Sequence, residues 1–297
     1  MLKRMSDLYG LLNKTEKKTV ALAAAQDEVA LQAITEAVEK GFVDAILVGN
    51  EEKIKRIAYD NKLDISAMEI FNIPNNNEAV EKAVRLVHDK DAGILMKGGI
   101  GTATLLKGVL NKEWGLRKNP VLSHFALFEV KAYHHKLIAV TDVALNIAPN
   151  LNDKINIVNN AVEGLNLLGI ERPKVAVIGA VELVNEMMPA TIDAALLSKM
   201  AQRGQIENCI IDGPLSFDIA ISERSAHYKG IISDVAGDAD LLLMPDIEAG
   251  NILYKSFVFF ADAKVAGVVL GASAPIVLPS RADSERSKLD SIALAAI

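Results

Sequence analysis

A chain of 297 residues is long enough for a large core and for two domains. It is 51% hydrophobic but only 5% aromatic, so the apolar content is mainly Ala, Val, Ile and Leu, which suits buried parallel strands and packed helices. A net charge of -6 argues against a nucleic-acid partner, the single cysteine excludes an intrachain disulfide, and no apolar run approaches the roughly 20 residues that cross a bilayer.

The start, Met1-Leu-Lys-Arg-Met-Ser-Asp7, is charged and lacks the apolar segment of a secretory signal, so the expected location is the cytoplasm. Val20–Ala25 reads as a strand. Asp27–Lys40 reads as a helix with Leu31, Ile34 and Val38 on one face and Gly41 just beyond it. A strand over Phe42–Val48 and a helix over Glu51–Tyr59 follow. Ile73–Asn77 is a loop whose last residue can cap a helix over Glu78–Lys90. Gly93–Met96 is a strand that turns through Lys97-Gly98-Gly99-Ile-Gly101-Thr102 into a helix ending at Leu110. Strands are expected at Leu122–Val130 and Leu137–Thr141, then a loop over Asp142–Pro149 and a helix to Leu168.

A second series begins at Arg172-Pro173. Its strands are expected at Val175–Ile178, Glu207–Ile211, Asp240–Met244, Lys264–Leu270 and Ile276–Leu278, with helices between them and a last helix from Asp283. Alternation of this kind predicts an α/β protein with mainly parallel sheets.

Several turns carry residues suited to chemistry. Ser280-Arg281-Ala-Asp283-Ser284 begins the last helix. Ser280 and Asp283 alone read as a capping box. Arg281 adds a second reading, because an arginine at a helix N-terminus is misplaced unless an anion sits there, and its planar fork suits phosphate oxygens. Pro245-Asp246-Ile-Glu-Ala-Gly250-Asn251 lies beyond a strand, where open α/β sheets bind ligands, and reads equally as a turn. Lys97-Gly98-Gly99-Ile-Gly101-Thr102 is glycine-rich but is neither a P-loop nor a dinucleotide fingerprint; Lys97 and Lys107 could meet an anion there. Asp212-Gly213-Pro214 reads foremost as a tight turn. Cys209 reads as a buried strand residue without thiolate character. His88, His124, His134, His135 and His227 lack metal-ligand spacing, and the adjacent His134 and His135 would point apart on a strand, so no metal site is expected.

Taken together, the chain resembles the phosphate acetyl/butyryltransferase family over nearly its whole length. The likeness is densest in Thr141-Asp142-Val-Ala-Leu-Asn146-Ile-Ala-Pro149, Lys174-Val-Ala-Val177, Ala180-Val-Glu182, Met188-Pro-Ala-Thr191, Asp212-Gly-Pro214, Val235-Ala-Gly-Asp238-Ala-Asp240, Pro245-Asp246, Gly250-Asn251 and Ser280-Arg281. The Asn-Ile-Ala-Pro and Ser-Arg-Ala-Asp-Ser versions resemble the butyryl branch more than the acetyl one.

The resemblance implies two α/β domains around a cleft, as in isocitrate and isopropylmalate dehydrogenases. The boundaries expected are residues 1–145 with 274–297 for the first domain and 146–273 for the second, with the active site in the cleft between them. It implies homodimers or higher homo-oligomers, no membrane or nucleic-acid partner, no bound cofactor, and reversible exchange of a short acyl group, butyryl, between coenzyme A and phosphate. Coenzyme A, phosphate and the acyl phosphate are then the substrates.

By that resemblance Ser280 and Arg281 are the functional pair. Arg281 would hold the phosphate and the developing charge, and Ser280 would donate to the acyl or phosphate oxygen. An arginine of the acetyl enzymes falls at Lys107. Their later aspartate falls at Ser287, which cannot be a carboxylate base, so Asp283 is the nearest substitute as acceptor of the thiol proton. Lys97, Gly98, Thr102, Asn146 and Asp212 complete the expected substrate contacts, and Asp246, Gly250 and Asn251 are expected to shape the acyl-phosphate pocket. With no cysteine nucleophile, direct transfer in a ternary complex is expected. The alternatives are a phosphate acetyltransferase, a decarboxylating dehydrogenase of the same architecture, and a non-catalytic acyl-CoA-binding protein.

Overall fold

The computed structural model describes residues 2–13, 15–279 and 283–297. The chain divides into two compact α/β units. One is Ser6–Asn119 with Ala266–Ile297, and the other is Met1–Met5 with Pro120–Val265. The division falls at 119/120 and 265/266, earlier than the expected 145/146 and 273/274. Strand pairing is the reason: the two strands that follow Pro120 pair with one another and then with the second series.

The chain opens with α1 (Asp7–Leu12), which the sequence patterns do not predict. Then come β1 (Thr19–Ala23), α2 (Glu28–Glu39), β2 (Asp44–Gly49), α3 (Glu51–Asp60), β3 (Glu69–Asn72), α4 (Asn76–His88), β4 (Ile94–Lys97) and α5 (Thr102–Val109). β3 is likewise unpredicted: only four residues long, it has no fully buried position to give it an apolar signature. The cap of α4 is Asn75, whose side chain accepts from the Asn77 and Glu78 amides, rather than Asn77.

The second unit holds β5 (Ser123–Glu129), β6 (Ile138–Thr141), α6 (Leu151–Leu167), β7 (Lys174–Ile178), α7 (Pro189–Gln202), β8 (Ile210–Leu215), the short helices α8 (Phe217–Ile221) and α9 (Glu223–Tyr228), β9 (Leu241–Leu243) and α10 (Ile247–Phe259). β10 (Lys264–Leu270) leads back to the first unit, which ends with β11 (Ile276–Val277) and α11 (Glu285–Ala296). His134 and His135 follow a 3-10 turn over Lys131–Tyr133 instead of lying on a strand.

In the first unit the strand order is β3-β2-β1-β4-β11-β10. All neighbours are parallel except β10 and β11. Val20, Ala21, Leu22 and Ala23 of β1 are fully buried, as expected of a strand covered on both faces. From β1 the chain builds outward to β2 and β3, then crosses to the other side of β1 for β4. That reversal opens a crevice at the carboxyl ends of β1 and β4, where such sheets bind ligands. Ala23 pairs with Lys97, and Met96 pairs with Val277. The register therefore brings residues 24–27, 97–101 and 279 to one edge of this sheet.

In the second unit the order is β5-β6-β9-β7-β8, antiparallel only between β5 and β6. Asp212, Gly213 and Pro214 belong to β8 rather than to a tight turn. β8 is the edge strand and its register against β7 shifts at this point, so a proline without an N–H is accommodated. No helix among the described residues is long and apolar enough to cross a membrane.

The amino ends of β6, β7 and β9 are tied by ion pairs. Lys136, 3% exposed, donates to Asp240 Oδ1 and to the Asp238 carbonyl, each at 2.7 Å. The Lys174 ammonium reaches Asp238 Oδ2 at 2.7 Å, and its main-chain N–H reaches Asp240 Oδ2 at 2.8 Å. Burial alone would raise the Asp238 carboxyl. The hydrogen bonds and charges of Lys174 and Lys136 together outweigh it and hold the group at about 2, against an ordinary 3.8. A depressed native carboxyl means that the unfolded chain takes up the proton first as pH falls. This contribution to stability is complete above the ordinary value and is lost as pH falls through about 2. Denaturation midpoints measured at successive pH values should fall less steeply across that window for Asp238→Asn than for wild type. Equal slopes would show that the network does not set acid stability.

Candidate active site

The crevice of the first unit is built by two loops pressed together. After β1 the chain runs Ala24-Ala-Gln-Asp27, and after β4 it runs Gly98-Gly-Ile-Gly101. The Gly98 N–H donates to the Ala23 carbonyl and the Gly99 N–H to the Ala24 carbonyl, each at 2.9 Å. A Cβ on Gly98 would lie 2.3 Å from the Ala24 carbonyl oxygen, so only glycine fits this approach. The β1 loop is braced from the other side. Its Ala25 N–H donates to Val48 at 3.0 Å, and the Gln26 side-chain oxygen accepts from Asn50 N–H at 3.1 Å.

A cavity of about 310 Å³ lies beside these loops, lined by Asp27, Val29, Lys97, Ile100, Pro279 and the glycines 98, 99 and 101. The Lys97 ammonium folds over the loop and donates to the carbonyls of Gly98 and Ile100 at 3.2 and 3.3 Å. Gly101 is the N-cap of α5 and offers no side chain to its first amides. The cavity thus combines a fixed positive charge, an uncapped helix start, a carboxylate and an apolar wall from Val29, Ile100 and Pro279. Of the residues expected on this unit, Lys97 and Gly98 line the cavity. Thr102 opens α5 and is exposed. Lys107 is exposed on the last turn of the same helix and does not line the cavity.

Ser280 and Arg281 lie outside the described residues, and Pro279 immediately precedes them in the chain. The capping-box reading of Ser280 with Asp283 is corrected. The N-cap of α11 is Ser284, which accepts from the Ser287 N–H at 3.1 Å. Ser287 turns its hydroxyl to Ser284 at 2.9 Å. Asp283 precedes that cap, and its carbonyl accepts from the buried Lys288 ammonium at 2.6 Å. It does not line the cavity.

The remaining expected residues lie in the second unit, and most of them meet. Asp142, at the carboxyl end of β6 and 3% exposed, organises the loop that follows. Its carboxylate accepts the N–H groups of Ala144, Leu145 and Asn146 at 2.8, 3.1 and 3.1 Å. The Asn146 side chain donates to this carboxylate and to the Leu122 carbonyl at 2.8 Å. α10 lies directly on the loop. A Cβ on Gly250 would stand 2.2 Å from the Asp142 carbonyl oxygen, and Asn251 donates to the Val143 carbonyl at 3.1 Å. Asp246 caps α10, accepting from the Ala249 N–H at 2.8 Å. Asn146, Asp246, Gly250 and Asn251 therefore form one cluster. Its organiser, Asp142, is not among the expected site residues; an Asp ending an apolar strand with Asn four residues on was the signal available.

Asp212 stands apart from that cluster. It accepts from the Gly213 N–H at 2.9 Å and lines a separate cavity with Arg172, Ser198, Lys199, Gln202 and Cys209. Cys209 is buried, one residue before β8, and burial pushes its thiol up to about 11 while Arg172 lowers it slightly. Among the described residues no three His, Cys, Asp or Glu side chains are grouped to hold a metal ion.

The family model described as phosphate acetyl/butaryl transferase matches residues 8–85 and 74–296. The chain belongs to that family. Membership makes the protein a phosphate acyltransferase, as its motifs implied. It is 50% identical to the phosphate butyryltransferase of Clostridium acetobutylicum, over 100% of this chain and 98% of that one. The crystal structure of a branched-chain phosphotransacylase from Enterococcus faecalis superposes with a TM-score of 0.84 at 35% identity, covering 94% of this chain and 97% of the other. A 4-hydroxythreonine-4-phosphate dehydrogenase from Klebsiella pneumoniae shares the fold at a TM-score of 0.59 and 12% identity, covering 94% and 98%. The expected dehydrogenase-like α/β architecture is therefore present.

Replacing Gly98 by alanine forces a methyl group against main chain on the opposite loop. Overpacking of this kind costs about 1–3 kcal/mol. Chemical denaturation of Gly98→Ala should show that loss, together with reduced turnover; wild-type stability and turnover would refute the close-approach argument.

Proposed function

We propose that the protein reversibly exchanges a short acyl group, butyryl, between coenzyme A and inorganic phosphate. The cavity of the first unit is the observation that carries this reading. An acyl phosphate has an anionic end and a short apolar end, and the cavity offers Lys97 and the start of α5 to one and Val29, Ile100 and Pro279 to the other. In this reading Arg281 holds the phosphate and the charge that develops on the tetrahedral intermediate, and Ser280 donates to the acyl or phosphate oxygen. In the second unit, Asn146, Asp246, Gly250 and Asn251 form a polar cluster of their own at the carboxyl end of β6 and the start of α10, the part of that unit expected to meet substrate. The 50% identity to a phosphate butyryltransferase supports butyryl over acetyl as the preferred group.

Transfer is direct, from phosphate to thiol within a ternary complex. The only cysteine is a poor nucleophile, because burial raises its thiol to about 11. No bound cofactor is needed for this chemistry. The enzyme works in the cytoplasm, where a single free cysteine stays reduced. It assembles as a homo-oligomer; support comes from large apolar side chains left exposed on the second unit, among them Met187 at 87% and Phe260 at 91%.

Purified protein is expected to release free thiol from acyl-CoA only when phosphate is present, with the highest kcat/KM for butyryl- or isobutyryl-CoA among C2 to C4 thioesters. An acetyl optimum would favour the acetyltransferase reading, and tight acyl-CoA binding without turnover would favour a binding protein. Arg281→Ala should lower turnover by about 10²–10³-fold, the usual effect of removing one group that stabilises an oxyanion. Cys209→Ala should keep turnover near wild type and, like wild type, yield no acyl adduct by intact-mass measurement; loss of activity would point to an acyl-enzyme instead.

A further inference from the structure

We propose that Asp27 is the catalytic group that takes the proton from the coenzyme A thiol. This assignment rests on the transferase reading and deepens it. The reaction needs a proton acceptor, and the family's later aspartate falls at Ser287. Ser287 is hydrogen-bonded to the N-cap Ser284 at the start of α11 and has no carboxylate to offer. Among the described residues, Asp27 is the only carboxylate lining the cavity that also holds Lys97, Ile100 and Pro279.

The position of Asp27 follows from topology. It lies on the loop after β1, and the glycine turn lies on the loop after β4. These are the two strands flanking the reversal of strand order, where a ligand sits between the loops. Its carboxylate is also held still. Oδ1 accepts the Ala30 N–H at 2.9 Å as the N-cap of α2, and Oδ2 has no hydrogen-bond partner among the described residues. One oxygen is fixed by the helix while the other is left for a substrate proton. The cavity then places an acid–base group beside an anion-binding group, the pairing that thiol attack on an acyl phosphate requires.

In the thioester-forming direction the thiol proton moves to Asp27 as sulfur bonds to the acyl carbon. The tetrahedral intermediate then breaks the bond between the acyl carbon and the bridging oxygen, and phosphate departs on that oxygen with the electron pair. Asp27 returns the proton to the phosphate or to water. In the reverse direction protonated Asp27 supplies the proton to the departing thiolate.

Asn caps helices as well as Asp does, so Asp27→Asn removes the base and keeps the cap. This variant is expected to retain the wild-type Tm and the KM for phosphate while kcat falls by about 10²–10⁴-fold. The acid limb of the wild-type pH–rate profile should vanish. Asp283→Asn, which alters a side chain outside the cavity, should lower kcat far less than Asp27→Asn does. If Asp27→Asn does not fold, Asp27→Ser keeps a capping oxygen and takes its place. An active wild type with an equally active Asp27→Asn, or a loss confined to Asp283→Asn, would overturn this assignment alone. A folded wild type with no phosphate-dependent release of thiol would overturn the transferase reading and this assignment with it.

Discussion

The approach of two main-chain segments, the Gly98 turn against the Ala24 carbonyl, is the constraint on which the first unit depends. It exists because β1 and β4 are parallel neighbours paired as far as Ala23 and Lys97. At that register the loops leaving both strands emerge side by side. Only a residue without Cβ can then pass within bonding distance of the opposite carbonyl. The amides of Gly98 and Gly99 are spent on that contact, which fixes where α5 begins and where the Lys97 ammonium comes to rest. β11 adds to the same edge, carrying Pro279 to the cavity.

The second unit solves a related problem by different means. Here a buried carboxylate, Asp142, gathers the amides that follow it, and a glycine of α10 lets the helix settle directly on the loop so formed. Both units therefore place a loop at the carboxyl ends of their parallel strands and hold it by satisfying its amides, with main-chain carbonyls in the first unit and a carboxylate in the second. The opposite ends of β6, β7 and β9 are held chiefly by charge. They are closed by Lys136, Lys174, Asp238 and Asp240, whose charges satisfy one another.

Much of the fold was legible because parallel strands buried on both faces are nearly unbroken apolar runs, and helices such as α2 repeat apolar residues at helical spacing. The errors have physical sources. β3 is short and half covered, and so leaves little pattern. Asp212-Gly213-Pro214 has the composition of a turn, but an edge strand tolerates it. The unit boundary was misplaced because membership of β5 and β6 is decided by pairing with β9, a partner about a hundred residues away in sequence. Several expected substrate contacts serve the protein itself: Asp246 caps a helix, and Gly250 and Asn251 seat that helix.

Local and ordered information, by itself, determined the alternation of strands and helices, the absence of a basic face or a disulfide framework, and the family through motifs spread along the chain. Those properties depend on residues near in sequence, or on their order. Tertiary structure alone decided which loops meet. It put Asp27 beside Lys97, separated Asp212 from the Asn146 cluster, and made Ser284 rather than Ser280 the start of the last helix. The first two outcomes rest on strand register and on contacts between distant segments, which no local spacing of residues encodes; the third rests on a local choice between two serines, each able to cap, that spacing alone leaves open.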